Sequence, residues 1–269
     1  MEQTVPMLSI GLMALSVVLA IGTPIVLAVL CCRGRKGTFT EIMVGAAGFF
    51  VGALVLEQFC HALVFRFFPN LAQNPVAYCL YACLAAGFFE ETARLVGLNW
   101  LCKQDSSPMA GLAYGVGHGG FEAINIGFGG LMSNLSLMMM MINGGQAASL
   151  LESVSEEQRQ AAQAQLDALC TSQPITFLAG GVERVITLAF HIALSMIVWM
   201  VVTGRIPRWG YFVAVGIHAL ADVAAVLYQL HFITSVWLTE ALIFVFTAVV
   251  CYGVVQMLKK QGVACPIKR

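Results

Sequence analysis

The chain alternates between long apolar runs and short polar breaks. An apolar run of about 18 residues or more reads as a helix crossing a bilayer, because a rise of 1.5 Å per residue then covers about 30 Å of hydrocarbon. Such runs predict spans at 8–30, 40–65, 76–101, 109–130, 175–202, 211–230 and 235–258. A shorter apolar run, Leu131–Ile142, either extends the fourth span or re-enters the membrane, so seven to eight membrane segments are expected. The fold class that follows is all-α, a polytopic transmembrane helical bundle forming one integral membrane domain over residues 1–269. The first run reads as a span and not as a cleaved leader. Glu2 precedes it where a leader would carry basic residues, and no small-residue cleavage site follows.

One sizeable polar segment interrupts the pattern, an outer polar insert at 144–174. Ser153-Val-Ser-Glu156 has the capping-box form ahead of a Gln- and Ala-rich run to about Leu169, which predicts a short helix on the outer face.

Composition agrees with the pattern: 59% of residues are hydrophobic and 10% charged, and mean hydropathy is +0.84. A soluble domain carries about 25% charged residues, so there is no room for a large one here. No basic patch interleaved with aromatics is present, which excludes nucleic acid as a partner. The nine cysteines form no CxxC pair and read as packing residues; Cys31 and Cys32, beside a basic stretch, are candidates for acylation. Net charge is zero, yet the basic residues are placed asymmetrically. Arg33, Arg35, Lys36, Lys103, Arg205, Arg208, Lys259, Lys260, Lys268 and Arg269 follow spans one, three, five and seven, and only Arg66 and Arg159 fall on the other side. The positive-inside rule puts the N-terminus outside and the C-terminus in the cytoplasm of a plasma or inner cell membrane.

The informative residues are the charged ones inside the spans. A charge at the bilayer centre costs about 2.5–3.5 kcal/mol on insertion scales, yet Glu90, Glu91, Arg94, His118, Glu122, Glu183, His191, His218 and Asp222 all lie within apolar runs, with Arg184 beside them. Counted from the cytoplasmic ends, spans three to six place most of these groups roughly 10–20 Å deep. Glu183 and Arg184 lie nearer the outside. Glu91 and Arg94 are three residues apart, while His118 with Glu122 and His218 with Asp222 are four apart, so each pair shares a helix face. Gly111, Gly115 and Gly119 recur every four residues in span four, a spacing that lets helices approach closely or brings backbone near a substrate.

A carboxylate beside an imidazole can activate water, the acid taking the proton and the ring positioning the water or passing the proton on. A second imidazole with a polar neighbour, His218 with Asp222, can stabilise an oxyanion. His118, Glu122, His191, His218 and Asp222 are also zinc-ligand types, but no HExxH spacing forces coordination. Two cofactor states therefore stay open: none, or a divalent metal such as zinc held by His118, His191 and His218.

Glu90-Glu91-Thr-Ala-Arg94, Tyr114-Gly-Val-Gly-His118-Gly-Gly-Phe-Glu122, Glu183 with His191, and His218-Ala-Leu-Ala-Asp222 resemble, in that order, the YhfC family of intramembrane proteases. That family sits within the group of type II CAAX prenyl proteases, bacteriocin-processing proteins and PrsW-type proteases. The resemblance runs from about Gly87 to Asp222. It implies a type II CAAX-protease-like core in which Glu90 and His118 activate water, Glu91 and Arg94 support the site, and His218 and Asp222 bind the oxyanion. The CAAX enzymes, however, have one more residue between the acids and the Arg, Asn in place of Asp222, and usually Phe in place of Tyr114. Glu183 and His191 have no certain counterpart. The group has been described both as metalloproteases and as glutamic proteases.

The expectation is an intramembrane endopeptidase of glutamic type, possible metal dependence included, cleaving a membrane protein or peptide within the lipid bilayer. Its candidate catalytic residues are Glu90, Glu91, Arg94, His118, Glu122, His191, His218 and Asp222. The rival readings are a proton- or ion-coupled transporter, which the same residue types would suit, and a non-catalytic membrane scaffold with the same fold.

Overall fold

The protein is described by a computed structural model covering residues 5–34, 38–142 and 155–263. Glu2, Arg35, Lys36, Ser153, Lys268 and Arg269, and the insert up to residue 154, lie outside the described residues. The elements are α1 (Met7–Gly34), α2 (Thr38–Phe49), α3 (Gln58–Phe67), α4 (Pro75–Leu101), α5 (Pro108–Ile126), α6 (Met132–Ile142), α7 (Glu156–Thr171), α8 (Ala179–Val202), α9 (Gly210–Gln229) and α10 (Val236–Lys260). No strand occurs among the described residues, so the chain is an all-α polytopic bundle.

Among the described residues, six helical stretches are long and apolar enough to cross a membrane: Met7–Arg33, Thr38–Phe67, Pro108–Ile142, Pro174–Val202, Gly210–Gln229 and Val236–Lys260. α4 has 27 residues and the same length advantage, but Glu90, Glu91 and Arg94 lower its apolar character. The run Leu131–Ile142 does extend the fourth span: a π-helical segment, Gly127–Leu131, joins α5 to α6. A longer π-helical segment, Phe50–Glu57, joins α2 to α3. Such segments rotate the helix face and are frequent at functional sites. Here Gly45, before it, packs on the backbone of Tyr114 in α5, while Gly52, within it, packs on Ala93 in α4.

Helix starts follow local rules. Asn74 Oδ1 accepts a hydrogen bond from the backbone N–H of Ala77, 3.1 Å away, and Pro75 fills the first turn, where its missing N–H costs nothing. The cap of α7 differs from the expected Ser153–Glu156 box. Ser155, two residues later, is the N-cap and closes a capping box with Gln158. Both registers obey the S-x-x-E/Q pattern, so local sequence does not separate them.

α5 packs tightly on both sides through glycine. A Cβ added at Gly115 would lie 2.7 Å from Ile192 Cα, and one at Gly119 would lie 2.7 Å from His191 Cβ. Gly117, on another side, abuts the backbone of Ile42 in α2. The four-residue glycine spacing therefore serves helix packing, and it sets His118 against α8. Trp199, Leu194, Val198, Leu98 and Tyr114 form the main buried cluster beside this contact. Phe59, Phe212, Phe244 and Tyr252 face outward, as side chains in contact with lipid would.

Candidate functional site

α4 contributes Glu90, Glu91 and Arg94, α5 His118 and Glu122, α8 His191, and α9 His218 and Asp222. These eight side chains meet in one network. Its centre is Glu90 Oε2, with three imidazole nitrogens around it: His118 Nε2 at 3.0 Å, His191 Nδ1 at 3.8 Å and His218 Nε2 at 3.9 Å. Glu91, Arg94 and His118 are completely buried.

A second ring of contacts orients the imidazoles. His218 Nδ1 lies 2.7 Å from Glu91 Oε1, and the same oxygen accepts from Arg94 Nη1. His191 Nε2 lies 2.5 Å from Glu122 Oε2, and Arg184 bridges Glu122 to Glu183. Arg94 Nη2 lies 3.0 Å from His191 Nδ1. His118 sits between aromatic rings, Phe49 edge-on at 5.3 Å and Tyr114 stacked at 5.8 Å. The Tyr114 hydroxyl donates to the Ala93 carbonyl, 3.2 Å away, so the residue that departs from the CAAX pattern ties α5 to the backbone just before Arg94.

Beside Glu90 the network opens into a cavity of about 180 Å³ whose walls include Glu122, Arg184, His191, His218 and Asp222. At about 30 Å³ per water, it has room for several waters. His118 and Glu122, expected to act from one face, serve different partners: His118 meets Glu90, while Glu122 meets His191 and Arg184. Asp222 is the most peripheral member, 3.8 Å from His218 Nε2 with a third of its side chain exposed. His191, which motif order left without a role, is in the middle.

Sequence reasoning passed over several buried or half-buried groups, among them Glu41 in the second span. Glu57 and His61 lie four residues apart in the second span; His61 Nε2 is 3.2 Å from Glu57 Oε1, and His61 Nδ1 is 2.6 Å from the Tyr81 hydroxyl. Glu240 is buried in α10. Each was visible as an ionisable residue inside an apolar run, the same signal that marked the others.

A model of the family described as YhfC intramembrane metalloprotease matches residues 19–243. The chain belongs to the YhfC family. It is 33% identical over 249 residues to the "Uncharacterized membrane protein YhfC" of Bacillus subtilis (strain 168), an alignment covering 91% of this chain and 94% of the relative. No solved structure matches the chain.

The family description raises the question of a metal, and the residues present fit one. Donor atoms of Glu90, His118 and His191 all lie within 4.8 Å of one another and all three residues are buried. Ligands around a tetrahedral zinc stand about 3.3 Å apart, close to the 3.0–3.8 Å that separate Glu90 Oε2 from the two rings. Metal-binding histidines usually hand their second nitrogen to a carboxylate, and in this YhfC-family chain Glu122 stands behind His191; Glu90 takes the place in the group that was expected for His218, which lies outside it.

Proposed function

We propose that this protein is an intramembrane endopeptidase that hydrolyses a peptide bond of a membrane protein or peptide with water activated at Glu90 and His118. The observation that carries the reading is the convergence of three imidazoles on one buried carboxylate oxygen beside a cavity. A purely structural polar network has no need of that cavity. The family description, an intramembrane metalloprotease, supports peptide-bond hydrolysis in the membrane.

Two forms of the site differ in what lies between Glu90 and His118. In the glutamic form it is a proton: Glu90 takes it from the attacking water, and His118, 3.0 Å away, passes it toward the leaving amine. In the metal form, Glu90, His118 and His191 would hold a divalent ion such as zinc, which would supply Lewis acidity there. In both forms Glu91 accepts from His218 Nδ1 and so turns Nε2 toward the cavity; with the ring doubly protonated, that nitrogen is the donor for the oxyanion. Asp222, 3.8 Å from that nitrogen, biases the ring. Water reaches the site from the cytoplasmic side, with the N-terminus outside and the C-terminus inside.

A second reading, a proton-coupled transporter, draws on the Tyr81–His61–Glu57 chain, because hydrogen-bonded acids and imidazoles also conduct protons. Membrane proteomics on cells carrying the wild-type protein or Glu90→Gln tests the proposal. Substrate fragments should disappear in the variant, and unchanged cleavage would refute the assignment. Proton flux in proteoliposomes of the same sample decides for the rival. Metal analysis with chelation separates the two forms, since only the metal form loses activity with the ion.

A further inference from the structure

We propose that Arg94 and a divalent metal compete for one lone pair, that of His191 Nδ1, so that Arg94 sets the metal affinity of the site. The inference rests on the metal form described above. It begins with donor chemistry. A guanidinium has only N–H groups to offer, so at the 3.0 Å contact between Arg94 Nη2 and His191 Nδ1 the imidazole nitrogen is the acceptor. The ring proton then belongs on Nε2, facing Glu122 Oε2 at 2.5 Å. This is the tautomer a metal-binding histidine needs, with its protonated nitrogen beside a carboxylate and its bare nitrogen turned to the other donors. Glu90 Oε2 lies 3.8 Å from that bare nitrogen. His191 is thus set up to bind an ion, but its one available lone pair is engaged by Arg94.

The competition is electrostatic as well as local. Arg94 is fully buried, and in a low-dielectric interior a guanidinium and a metal ion repel strongly. Arg94 has a second anchor, Glu91, on which it can remain after leaving His191. Its Nε has no hydrogen-bond partner among the described residues, so the polar contacts that hold the side chain are those of its two tip nitrogens. Without the ion, Arg94 is the cation that compensates Glu90 and Glu91; with it, the ion takes over Glu90, and Arg94 stays with Glu91. By linkage, whatever Arg94 costs the ion in affinity, the ion costs the Arg94–His191 contact.

The test is a titration of purified full-length protein in micelles, with Co²⁺ followed by absorption and Zn²⁺ by calorimetry. It compares wild type with Arg94→Lys, Arg94→Gln, His191→Ala and the His191→Ala/Arg94→Lys double variant. Arg94→Lys keeps a cation for Glu91 but removes the forked tip that reaches His191, and its Kd should fall by about tenfold. Arg94→Gln should fall at least as far where it folds. His191→Ala should bind more weakly, and in the double variant the gain from Arg94→Lys should vanish. General structural damage weakens binding, so tighter binding cannot arise from it. An unchanged or raised Kd in folded Arg94→Lys, or a gain that survives without His191, overturns the competition and leaves the metal form standing. If neither ion binds wild type or any variant, the metal form and the competition fall together.

Discussion

His218 Nδ1 and Glu91 Oε1 are 2.7 Å apart although 127 positions separate the two residues in sequence. That oxygen also accepts from Arg94, so one buried carboxylate orients a histidine of α9 and an arginine of its own helix together. Replacing it tests both functions. Glu91→Gln should slow peptide cleavage by about 100-fold, because His218, the oxyanion donor, loses the carboxylate that orients it. It should also destabilise the fold by about 3–5 kcal/mol, because Arg94 is left as an uncompensated buried charge. Cleavage rate per folded molecule and denaturation in micelles read the two effects separately.

Arg184 holds Glu122 and Glu183. Arg184→Met should cost about 3–5 kcal/mol, since it strands a buried acid. Glu183→Gln should cost far less, because that side chain is 27% exposed and water can replace its partner. Equal losses in the two variants, measured by denaturant or SDS titration, would show that burial does not control this network.

The glycine face of α5 makes a steric prediction. Gly115→Ala brings its methyl group to 2.7 Å from Ile192 Cα, and backbone cannot yield as a side-chain tip can, so a loss of about 1–3 kcal/mol is expected. Gly216→Ala in α9 meets nothing within 4 Å. It should be neutral or stabilising by about 0.5–1 kcal/mol, as alanine loses less backbone entropy in a helix. Melting temperatures of the two variants check the contrast.

In the Tyr81–His61–Glu57 chain, Tyr81→Phe should cost about 1 kcal/mol, one ordinary hydrogen bond. His61→Leu should cost about 1–3 kcal/mol, because it leaves the Glu57 carboxyl, 9% exposed, without its imidazole. If the chain only braces α3 against α4, peptide cleavage should survive both substitutions at the wild-type rate per folded molecule.

The proposed topology predicts that a fluorescent reporter fused after Arg269 matures in the cytoplasm, and that an alkaline phosphatase fusion at the same point is silent. The opposite pair of results would reverse the orientation inferred from the basic residues.

Several features were legible along the chain because they depend on neighbours in sequence. Hydropathy over about 20 residues places the membrane helices, since bilayer thickness and helical rise convert directly into a run length. The Glu91–Arg94 pair was legible for a related reason: three residues of helix bring two side chains to one face, and the pair does form. The ordered motifs carried the family. Ionisable residues inside apolar runs marked the site members, although the same signal at Glu57, His61 and Glu240 was passed over.

What only the tertiary structure decided is which of these groups touch. His118 meets Glu90 in another helix, and Glu122, one turn further along α5, turns to Arg184 and His191. Helix rotation and the close approach at Gly115 and Gly119 set those pairings, and neither is written in local spacing. His191 shows the difference most clearly. From sequence it was one imidazole in an apolar run with no motif partner, whereas in the fold it stands among Arg94, Glu90 and Glu122. Membrane insertion rewards a local property, apolar length, while the chemistry of the site depends on distances between α4, α5, α8 and α9, which only packing determines.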